Sequence, residues 1–504
     1  MTFSDIASVL LTREVILCLF VGVVGGIVIG ALPGLSASMG VALMIPVTYS
    51  MSPVAAIVML SAIYTSAIYG GSITASLINT PGTPASAATA MDGFALTKRG
   101  QGLKAIGVCT VASMIGGTFS GVMLLLMAEP LARISLLFGP AEYCLMGVFG
   151  LSIIGSLAGE NMAKGLISGL LGVFFGTIGL DAMLAIPRFT FGSISMERGI
   201  STVPAMIGMF ALAQVMDSVF DIMRGKNSLL DDPTKALHGS VFPTRKEMKE
   251  ILPTVGVCSV VGLLIGILPG ASGDVGSWVG YNMGKRMSKH PEEFGNGAIC
   301  GIAASESANN AVTGGSMIPL LALGIPGSGT AALLLGGLMI HGLQPGYDLF
   351  TTSGTLTYAI IWGFTFANVA MGVIGLLTAR QVCKVSRIPM SILCPVIIAL
   401  CAIGAYAINK NFVDVVLMLI FGLLGYIMRK TGFASAPLIL GLILSDMVES
   451  NYRRTLILAR GESIFQYFFS RTQSVVLIVL IVAALLSPLV MKAINRRIAK
   501  GAAK

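Results

Sequence analysis

Two stretches of this chain carry small hydroxyl and amide side chains beside a Pro-Gly pair, within sequence that is otherwise apolar. They are INTPGT at 78–83 and GIPGSGT at 324–330. Oxygen atoms of such residues suit coordination of a hard cation, and the hydroxyl and amide groups also donate hydrogen bonds to carboxylates. The alternative is that these small residues only allow helices to pack closely. Because the breaks match in two parts of the chain, a binding site is the favoured interpretation.

A second pair of breaks, Pro33-Gly34 and Pro269-Gly270, is followed by small or polar residues. A helix that is broken in lipid exposes backbone amides and carbonyls that need partners. Bound sodium or an anionic substrate can supply them, with the start of the following half-helix facing the anion. The alternative is a kink whose polar groups are satisfied by neighbouring helices.

The stretch SESANNAVTGGS at 305–316 contains Glu306, one of few carboxylates in an apolar context. An ionisable group there is costly unless it is paired, protonated or bound to a cation. Its counterpart in the first half, SAIYTSAIYGGS at 61–72, has no charge, so the site would be asymmetric. The alternative is a carboxylate at a hydrated helix end.

These groups give two sets of predicted ligands. The predicted substrate-binding residues are Ser36, Ser38, Asn79, Thr80, Gly82, Thr83, Ser272, Asn309, Asn310, Pro326, Gly327, Ser328 and Thr330. The predicted cation-binding residues are Gly34, Asn79, Gly270, Asp274, Glu306 and Thr313. We predict no catalytic residue, no cofactor and no metal other than a possible coupling Na+, for which H+ is the alternative. Co-bound cations would balance part of the substrate's charge, since Arg and Lys are scarce within the apolar runs.

The breaks belong to a longer internal similarity. GIVIGALPG at 26–34 returns as GLLIGILPG at 262–270, with glycines four residues apart on one helix face. Such glycines let another backbone come close, and the Pro-Gly pair ends the helix. Further along, Gly70-Gly71-Ser72 aligns with Gly314-Gly315-Ser316, and Pro81-Gly82 with Pro326-Gly327. Breaks repeated in this way predict a duplicated membrane transporter.

Composition places the chain in a membrane. Of its 504 residues, 55% are hydrophobic and 11% charged, and the mean hydropathy is +0.88. The net charge of +9 is spread over short loops without interleaved aromatics, which argues against nucleic-acid binding. The eight cysteines lack metal-ligand or CxxC spacing and are expected to be small apolar residues.

We therefore predict an all-α polytopic membrane protein of two inverted-topology repeats with Gly/Pro-broken re-entrant segments and about 10–12 membrane spans. An elevator-like movement of the broken segments is expected by analogy with other repeat transporters. The predicted divisions are a first membrane repeat at 1–222, a cytoplasmic linker at 223–250, a second repeat at 251–450, and an extra C-terminal span with a basic tail at 451–504.

The distribution of positive charge supports opposite orientations of the two halves. Lys98-Arg99 has no cationic counterpart near 343–353, and Lys285-Arg286 has none near 40–50. Cationic loops prefer the cytoplasm, so the halves would be inserted upside down relative to each other. With the linker in the cytoplasm, the C-terminus is cytoplasmic and the N-terminus periplasmic.

Two other classes of function are open at this point. One is an uncoupled organic-anion channel, which needs no coupling ion. The other is an intramembrane serine protease, since GASG at 270–273 fits a G-x-S-G pattern and His341 lies in another apolar segment. The repeat copy at 34–37 spoils that short pattern, which favours a structural turn.

The chain resembles the large membrane subunit of the tripartite tricarboxylate transporter family. The resemblance covers essentially the whole chain, and its residues are GALPGLSASMGVALMIP at 30–46, YGGSITASLINTPGTPASAATAMDG at 69–93, GILPGASGD at 266–274 and GGSMIPLLALGIPGSGTAALLLGG at 314–337. It implies a secondary transporter of the bacterial inner membrane that imports citrate-like di- and tricarboxylates on a sodium or proton gradient. It also implies two partners, a small four-span membrane subunit and a periplasmic solute-binding protein.

Overall fold

The computed structural model describes residues 3–32, 35–79, 83–157, 162–181, 186–224, 240–268, 273–385, 390–460, 463–483 and 485. Most of these residues are helical, which confirms the prediction of an all-α protein. The described residues also contain one short hairpin, in which Gly179–Leu180 pairs antiparallel with Pro187–Arg188.

The first half contains eleven described helices and a single-turn connection before the fifth. They are α1 Phe3–Leu10, α2 Arg13–Ala31, α3 Ala37–Thr48, α4 Pro53–Ile78, α5 Ala87–Lys98, α6 Gly102–Ile134, α7 Pro140–Leu157, α8 Met162–Gly176, α9 Ile194–Glu197, α10 Thr202–Met206 and α11 Ala213–Met223. A 3-10 turn at Pro84–Ser86 precedes α5, and a π-helical segment at Ile207–Leu212 joins α10 to α11.

The second half begins at Arg245. Its described helices are α12 Arg245–Ile267, α13 Gly273–Met287, α14 Ile299–Leu323, α15 Gly329–Ile340, α16 Tyr347–Thr351, α17 Gly354–Val385, α18 Met390–Asn409, α19 Phe412–Lys430, α20 Ser435–Leu458, α21 Ile464–Ser470 and α22 Thr472–Ala483. A capping box fixes the start of α12, because Thr244 and Glu247 each bond the other's backbone amide. The division into repeats, linker and C-terminal extension stays a prediction.

A helix ends two or three residues before each of the four predicted Pro-Gly breaks. Helices α4 and α14 each end at a residue in the left-handed conformation, Asn79 (φ 52°) after α4 and Gly324 (φ 71°) after α14. Helices α2 and α12 end without such a residue among those described. The helices that follow the breaks, α3, α5, α13 and α15, have 12, 12, 15 and 12 residues. At about 1.5 Å per residue none of them crosses a hydrocarbon core of about 30 Å.

Eight helices in the described part of the chain are long and apolar enough to cross a membrane. They are α2, α4, α6, the run Thr202–Phe220, α12, α17, α18 and α19, and the bent pair of α21 and α22 would make nine. Large apolar side chains cover the outer surface, as at Leu126 and Leu377, which are 63% and 68% exposed. The protein is thus a multi-pass membrane protein, while the count of about 10–12 spans stays a prediction.

Glycines bring the same helices together in each half. A Cβ atom on Gly30 of α2 would lie 2.1 Å from the carbonyl oxygen of Ala67 on α4. A Cβ atom on Gly266 of α12 would lie 2.5 Å from the carbonyl oxygen of Val312 on α14. Both helix pairs therefore have backbone in direct contact, as the spacing of the glycines predicts.

The contacts also fix how α4 and α14 correspond. Gly70 lies against the carbonyl of Ile27, and Gly315 lies against the carbonyl of Leu263. Gly70 therefore corresponds to Gly315, and the sequence alignment of the two Gly-Gly-Ser strings, which pairs Gly70 with Gly314, is wrong by one residue. Residue numbers on α4 and α14 correspond with an offset of 245, which also relates the left-handed residues Asn79 and Gly324.

Each half also packs against the other through corresponding helices. In the π-helical segment, a Cβ on Gly208 would lie 2.2 Å from the carbonyl oxygen of Met418 on α19. On α20, a Cβ on Gly441 would lie 2.2 Å from the carbonyl oxygen of Gly169 on α8. In the same way α6 packs on α14 and α17 packs on α4. The helices α4 and α14 are consequently enclosed at the centre of the molecule.

The cysteines whose surroundings are described are free thiols, and six of those seven are buried. Within the described residues, no group of three or more His, Cys, Asp or Glu side chains is placed to hold a metal ion. Six of the described cysteines therefore pack as small buried residues, and Cys300 is partly exposed.

Candidate functional site

The starts of α3 and α15 meet, one from each half. Ser36 and Ser328 cap these helices, each accepting a hydrogen bond from the backbone amide three residues further on. The hydroxyls of Ser38 and Thr330, in the first turns, lie 2.7 Å apart. Two helix N-termini, with their partial positive charge and free amides, are therefore directed to one region.

The start of α13 meets the turn before α5 in a similar way. A Cβ on Gly273 would lie 3.3 Å from the Cβ of Ala85. The hydroxyls of Thr83 and Ser86 lie 2.9 Å apart, and both lie within 3 Å of a Cβ placed on Gly71 of α4. A second pair of helix starts from the two halves is thus in contact.

Between these pairs, α4 and α14 carry polar side chains at the centre of the molecule. The Thr65 hydroxyl lies 3.2 Å from Oδ1 of Asn310 and 2.6 Å from Oδ1 of Asn368 on α17. The Tyr64 hydroxyl lies 3.2 Å from the Ser316 hydroxyl and 3.1 Å from the Ser328 hydroxyl. All six side chains are buried, so these bonds join three helices and the cap of α15 away from the protein surface.

Asn309, next to Asn310 on α14, is fully buried, and neither its Oδ1 nor its Nδ2 has a hydrogen-bond partner among the residues that the structure describes. Nδ2 of Asn310 and the Ser66 hydroxyl are also buried and bond to no other described residue. The Asn309 amide lies against the start of α13, since a Cβ on Gly273 would be 2.4 Å from its Oδ1. A buried polar group without a partner costs about 1–3 kcal/mol, so this cluster is where a bound ligand, ion or water would complete the hydrogen bonding.

Glu306 lies about one helical turn before Asn309 and is fully buried. Thr89 of α5 donates a hydrogen bond to its Oε1 at 2.5 Å, and Ser113 of α6 donates one to its Oε2 at 2.8 Å. The Ser305 hydroxyl lies 2.9 Å from that of Thr89. Within the described residues Glu306 forms no ion pair, so its partners are hydroxyls alone. Such an oxygen-rich setting can hold a proton or a single hard cation.

Another buried carboxylate, Asp92 of α5, has a structural role. Its Oδ1 accepts hydrogen bonds from the backbone amides of Gly295, Gly297 and Ala298 at 2.8–2.9 Å. Its Oδ2 accepts one from the Tyr281 hydroxyl at 2.9 Å. Asp92 thereby fastens α5 to α13 and to the loop that begins α14, beside Thr89 and Glu306.

The structure brings together many of the predicted substrate residues but not all of them. Those at the meeting helix starts or on the central helices are Ser36, Ser38, Thr83, Asn309, Asn310, Pro326, Gly327, Ser328 and Thr330. Gly327 packs closely, since its Cβ would lie 2.7 Å from the Gly266 carbonyl oxygen. Asn79 is exposed at the end of α4, away from the buried cluster. Five predicted residues, Gly34, Thr80, Gly82, Gly270 and Ser272, lie outside the described residues.

Two of the described cation candidates, Glu306 and Thr313, lie too far apart to bind one ion together. Glu306 and Thr313 are seven residues apart on α14, a rise of about 10 Å. The Thr313 hydroxyl donates to the Asn310 carbonyl of its own helix at 2.6 Å. Asp274 lies in the first turn of α13, near enough to Tyr64 for an electrostatic interaction. His341, considered for a protease, ends α15 with its Nε2 3.3 Å from the Thr48 hydroxyl.

Sequence reasoning missed five residues of this region: Tyr64, Thr65, Thr89, Ser113 and Asn368. All lie in apolar helices where a single hydroxyl or amide gives no local signal. Their partners are 193 to 303 residues away in the chain, so only the folded arrangement identifies them.

Comparison with known proteins gives the family. The sequence profile of the "Tripartite tricarboxylate transporter TctA family" matches residues 16–440. A protein of Agrobacterium vitis named "Uncharacterized 52.8 kDa protein in TAR-I ttuC' 3'region" is 36% identical over 453 residues, which are 90% of this chain and 89% of the relative. A second protein of that organism, "Uncharacterized protein in TAR-II ttuC' 3'region", is 39% identical over 202 residues, which are 40% of this chain and 84% of the relative. No solved structure matches.

The match extends from α2 into α20 and includes every residue of the site described above. It confirms the resemblance found in the Gly/Pro strings. The chain therefore belongs to the tripartite tricarboxylate transporter TctA family, a family of transporters and not of enzymes.

Proposed function

We propose that this chain is the large membrane subunit of a secondary active transporter that imports a citrate-like di- or tricarboxylate. The observation that carries the proposal is the buried, unpartnered amide of Asn309, which lies where the starts of α13 and of the turn before α5 meet. Helix starts and amide groups are both suited to carboxylates. Membership in a tricarboxylate transporter family supports the same class of substrate.

Coupling to a cation is proposed from Glu306. A carboxylate that is fully buried and surrounded by hydroxyls is costly unless it takes up a proton or a cation. A citrate-like anion brings negative charge to the same region, so a co-bound Na+ or H+ would offset part of the electrostatic cost. We place the coupling ion at Glu306.

Alternating access by an elevator-like movement is proposed from the four short helices that follow the breaks. Helices α3, α5, α13 and α15 are too short to span the membrane, and they surround α4 and α14. In transporters with inverted repeats, paired broken helices form the site at the bilayer midplane. We propose that the two halves are inserted in opposite orientations, with the N-terminus periplasmic and the C-terminus cytoplasmic, in the bacterial inner membrane.

The proposed partners follow from the tripartite family. They are a small four-span membrane subunit and a periplasmic solute-binding protein that delivers the substrate. Family membership supports both, and neither is needed to explain the geometry of the site. The lipid-facing surface of apolar side chains is consistent with the membrane setting.

The test is uptake of labelled citrate and several dicarboxylates by cells that produce the chain with its small subunit. Uptake is compared with and without a candidate binding protein, and sodium and pH are varied separately. Saturable uptake that needs both the binding protein and one cation gradient is the expected result. Non-saturable flux that is independent of both would favour an uncoupled channel and contradict the proposal.

A further inference from the structure

The correspondence between α4 and α14 defines two equivalent places beside the central helices. With the offset of 245, Tyr64 corresponds to Asn309, Gly71 to Ser316, and Thr83 to Ser328. We call Tyr64, Ser316 and Ser328 the first compartment, and Asn309, Gly71 and Thr83 the second compartment. Each compartment has three members. The first lies on one central helix and the second lies on the other. The third begins the helical segment that follows the second in the chain.

The first compartment is closed by its own side chains. The Tyr64 ring is 2% exposed, and its hydroxyl bonds both Ser316 and Ser328. Ser328 additionally caps α15. The polar groups in this compartment therefore have partners from within the protein, and a bound anion would have to break these bonds.

The second compartment has smaller side chains, and polar atoms in it lack hydrogen-bond partners among the described residues. The amide of Asn309 occupies the position that the Tyr64 ring has in the first compartment. Gly71 occupies the position of Ser316. Within the described part of the chain both polar atoms of Asn309 lack a partner, whereas the Tyr64 hydroxyl has two. Gly71 leaves the hydroxyls of Thr83 and Ser86 facing the α4 backbone without a side chain between them.

The fully buried carboxylate Glu306 is on the same side. Glu306 corresponds to Ser61 on α4, so the first half has no carboxylate at the equivalent position. Its hydrogen-bond partners Thr89 and Ser113 belong to α5 and α6, the helices that follow Gly71 and Thr83 in the chain. The differences between the halves thus concentrate on one side of the central helices.

We propose that the two compartments have diverged, so that only the second binds a carboxylate group of the substrate, through the Nδ2 of Asn309, and each chain binds one substrate molecule. Tyr64 occupies the first compartment permanently and has a structural role. This inference rests on the proposed function, because it names the half of the site that the transported carboxylate occupies.

The experiment measures binding of citrate and of each dicarboxylate in the uptake panel to the purified full chain by isothermal titration calorimetry. The expected stoichiometry is one per chain. Asn309→Ala should raise the dissociation constant more than tenfold, whereas Tyr64→Phe, which keeps the ring and loses the hydroxyl, should change it less than twofold. Thermal unfolding of each variant shows whether it is folded. The stoichiometry is measured on the unaltered chain, so that part of the test does not depend on any variant.

The outcomes separate the two claims. Two bound molecules per chain, or a larger loss for Tyr64→Phe than for Asn309→Ala, would overturn the divergence of the compartments and leave the proposed function intact. Absence of binding by the unaltered chain to every acid in the panel would overturn both.

Discussion

Thr65 and Asn310 are hydrogen-bonded to each other and occupy equivalent positions on α4 and α14. In the proposed arrangement of two repeats, equivalent residues can touch only close to the axis that relates the repeats, as in the self-complementary contacts of twofold dimers. Their neighbours Tyr64 and Asn309 therefore lie on opposite sides of the same centre, and their different chemistry makes that centre asymmetric. The predictions below concern the packing around it, the anchoring of the short helices and the coupling ion.

The close approach of α2 to α4 depends on Gly30. In Gly30→Ala the new methyl group would lie 2.1 Å from the Ala67 carbonyl oxygen, so backbone must shift. We expect the free energy of unfolding to fall by about 1–3 kcal/mol relative to the matched variant Gly25→Ala. Gly25 lies on the same helix and has no neighbour within 4 Å of its Cβ position, so alanine is tolerated there. Thermal unfolding in detergent compares the two.

The second half offers an independent repeat of this test. Gly266→Ala on α12 would place its methyl group 2.5 Å from the Val312 carbonyl oxygen, and Gly256 on the same helix is unobstructed. The same order of stability is expected, with Gly256→Ala the more stable. Equal stability of the matched variants in both halves would contradict close backbone packing at these glycines.

The packing glycines and the helix breaks could be predicted because each is a local pattern that occurs twice. Gly26 and Gly30 have copies at Gly262 and Gly266, and proline with glycine ends a helix wherever it occurs. The alignment of α4 with α14 failed by one residue, because both strings read Gly-Gly-Ser and only the carbonyl that each glycine meets distinguishes the two registers.

The candidate site was predictable only in part. Glu306 and Asn309 are conspicuous in an apolar segment, whereas Thr89 and Ser113, the partners of Glu306, are ordinary hydroxyls 217 and 193 residues away. The lack of partners for Asn309 is likewise a property of the fold, since it depends on which groups surround the amide. The type of a residue can be read directly from the sequence, whereas its hydrogen-bond partners are known only once the fold is known.

The anchoring role of Asp92 predicts an order of stability. Asp92→Ala leaves three backbone amides and the Tyr281 hydroxyl without their acceptor. The two buried donors, the Ala298 amide and the Tyr281 hydroxyl, cost about 1–3 kcal/mol each when they lose it. Asp92→Asn keeps an acceptor but loses the charge, and Tyr281→Phe removes one bond of the four. Thermal unfolding should therefore find Asp92→Ala least stable and Tyr281→Phe closest to the unaltered chain. Glu293→Gln, an exposed change on the neighbouring turn, is the control and should be neutral.

The contact between the starts of α3 and α15 can be tested by cross-linking. Ser38 and Thr330 have side-chain oxygens 2.7 Å apart, so cysteines at both positions, in a chain without its native cysteines, should form a disulfide on oxidation. Helices α3 and α15 also meet at their ends, through Thr48 and His341, and so run side by side. If they move as one unit, the cross-linked protein should retain uptake within about twofold of its reduced form, a change worth less than 0.5 kcal/mol by the usual conversion of about 1.4 kcal/mol per tenfold.

Each single-cysteine variant serves as the control for that experiment. Absence of a cross-link in the double variant would contradict the contact itself. Loss of uptake on oxidation, with recovery on reduction, would instead mean that the two helix starts separate during transport and would count against their movement as a unit.

The coupling role of Glu306 makes the sharpest functional prediction. Glu306→Gln keeps the size of the side chain and an acceptor for one of the two hydroxyl bonds, but it cannot take up a proton or neutralise a cation. Accumulation driven by the ion gradient should fall at least about tenfold, a difference of about 1.4 kcal/mol in the driving step. Exchange of labelled for unlabelled substrate, which needs no net ion movement, should persist.

That split between driven uptake and exchange distinguishes coupling from a structural role. A variant that is merely misfolded loses both activities and unfolds at lower temperature, whereas loss of coupling spares exchange. Glu292→Gln is the matched control, because that carboxylate is exposed in the loop before α14 and should leave both activities unchanged. Undiminished, gradient-dependent accumulation by Glu306→Gln would place the coupling ion elsewhere, since this is a fully buried carboxylate whose described partners are hydroxyls alone.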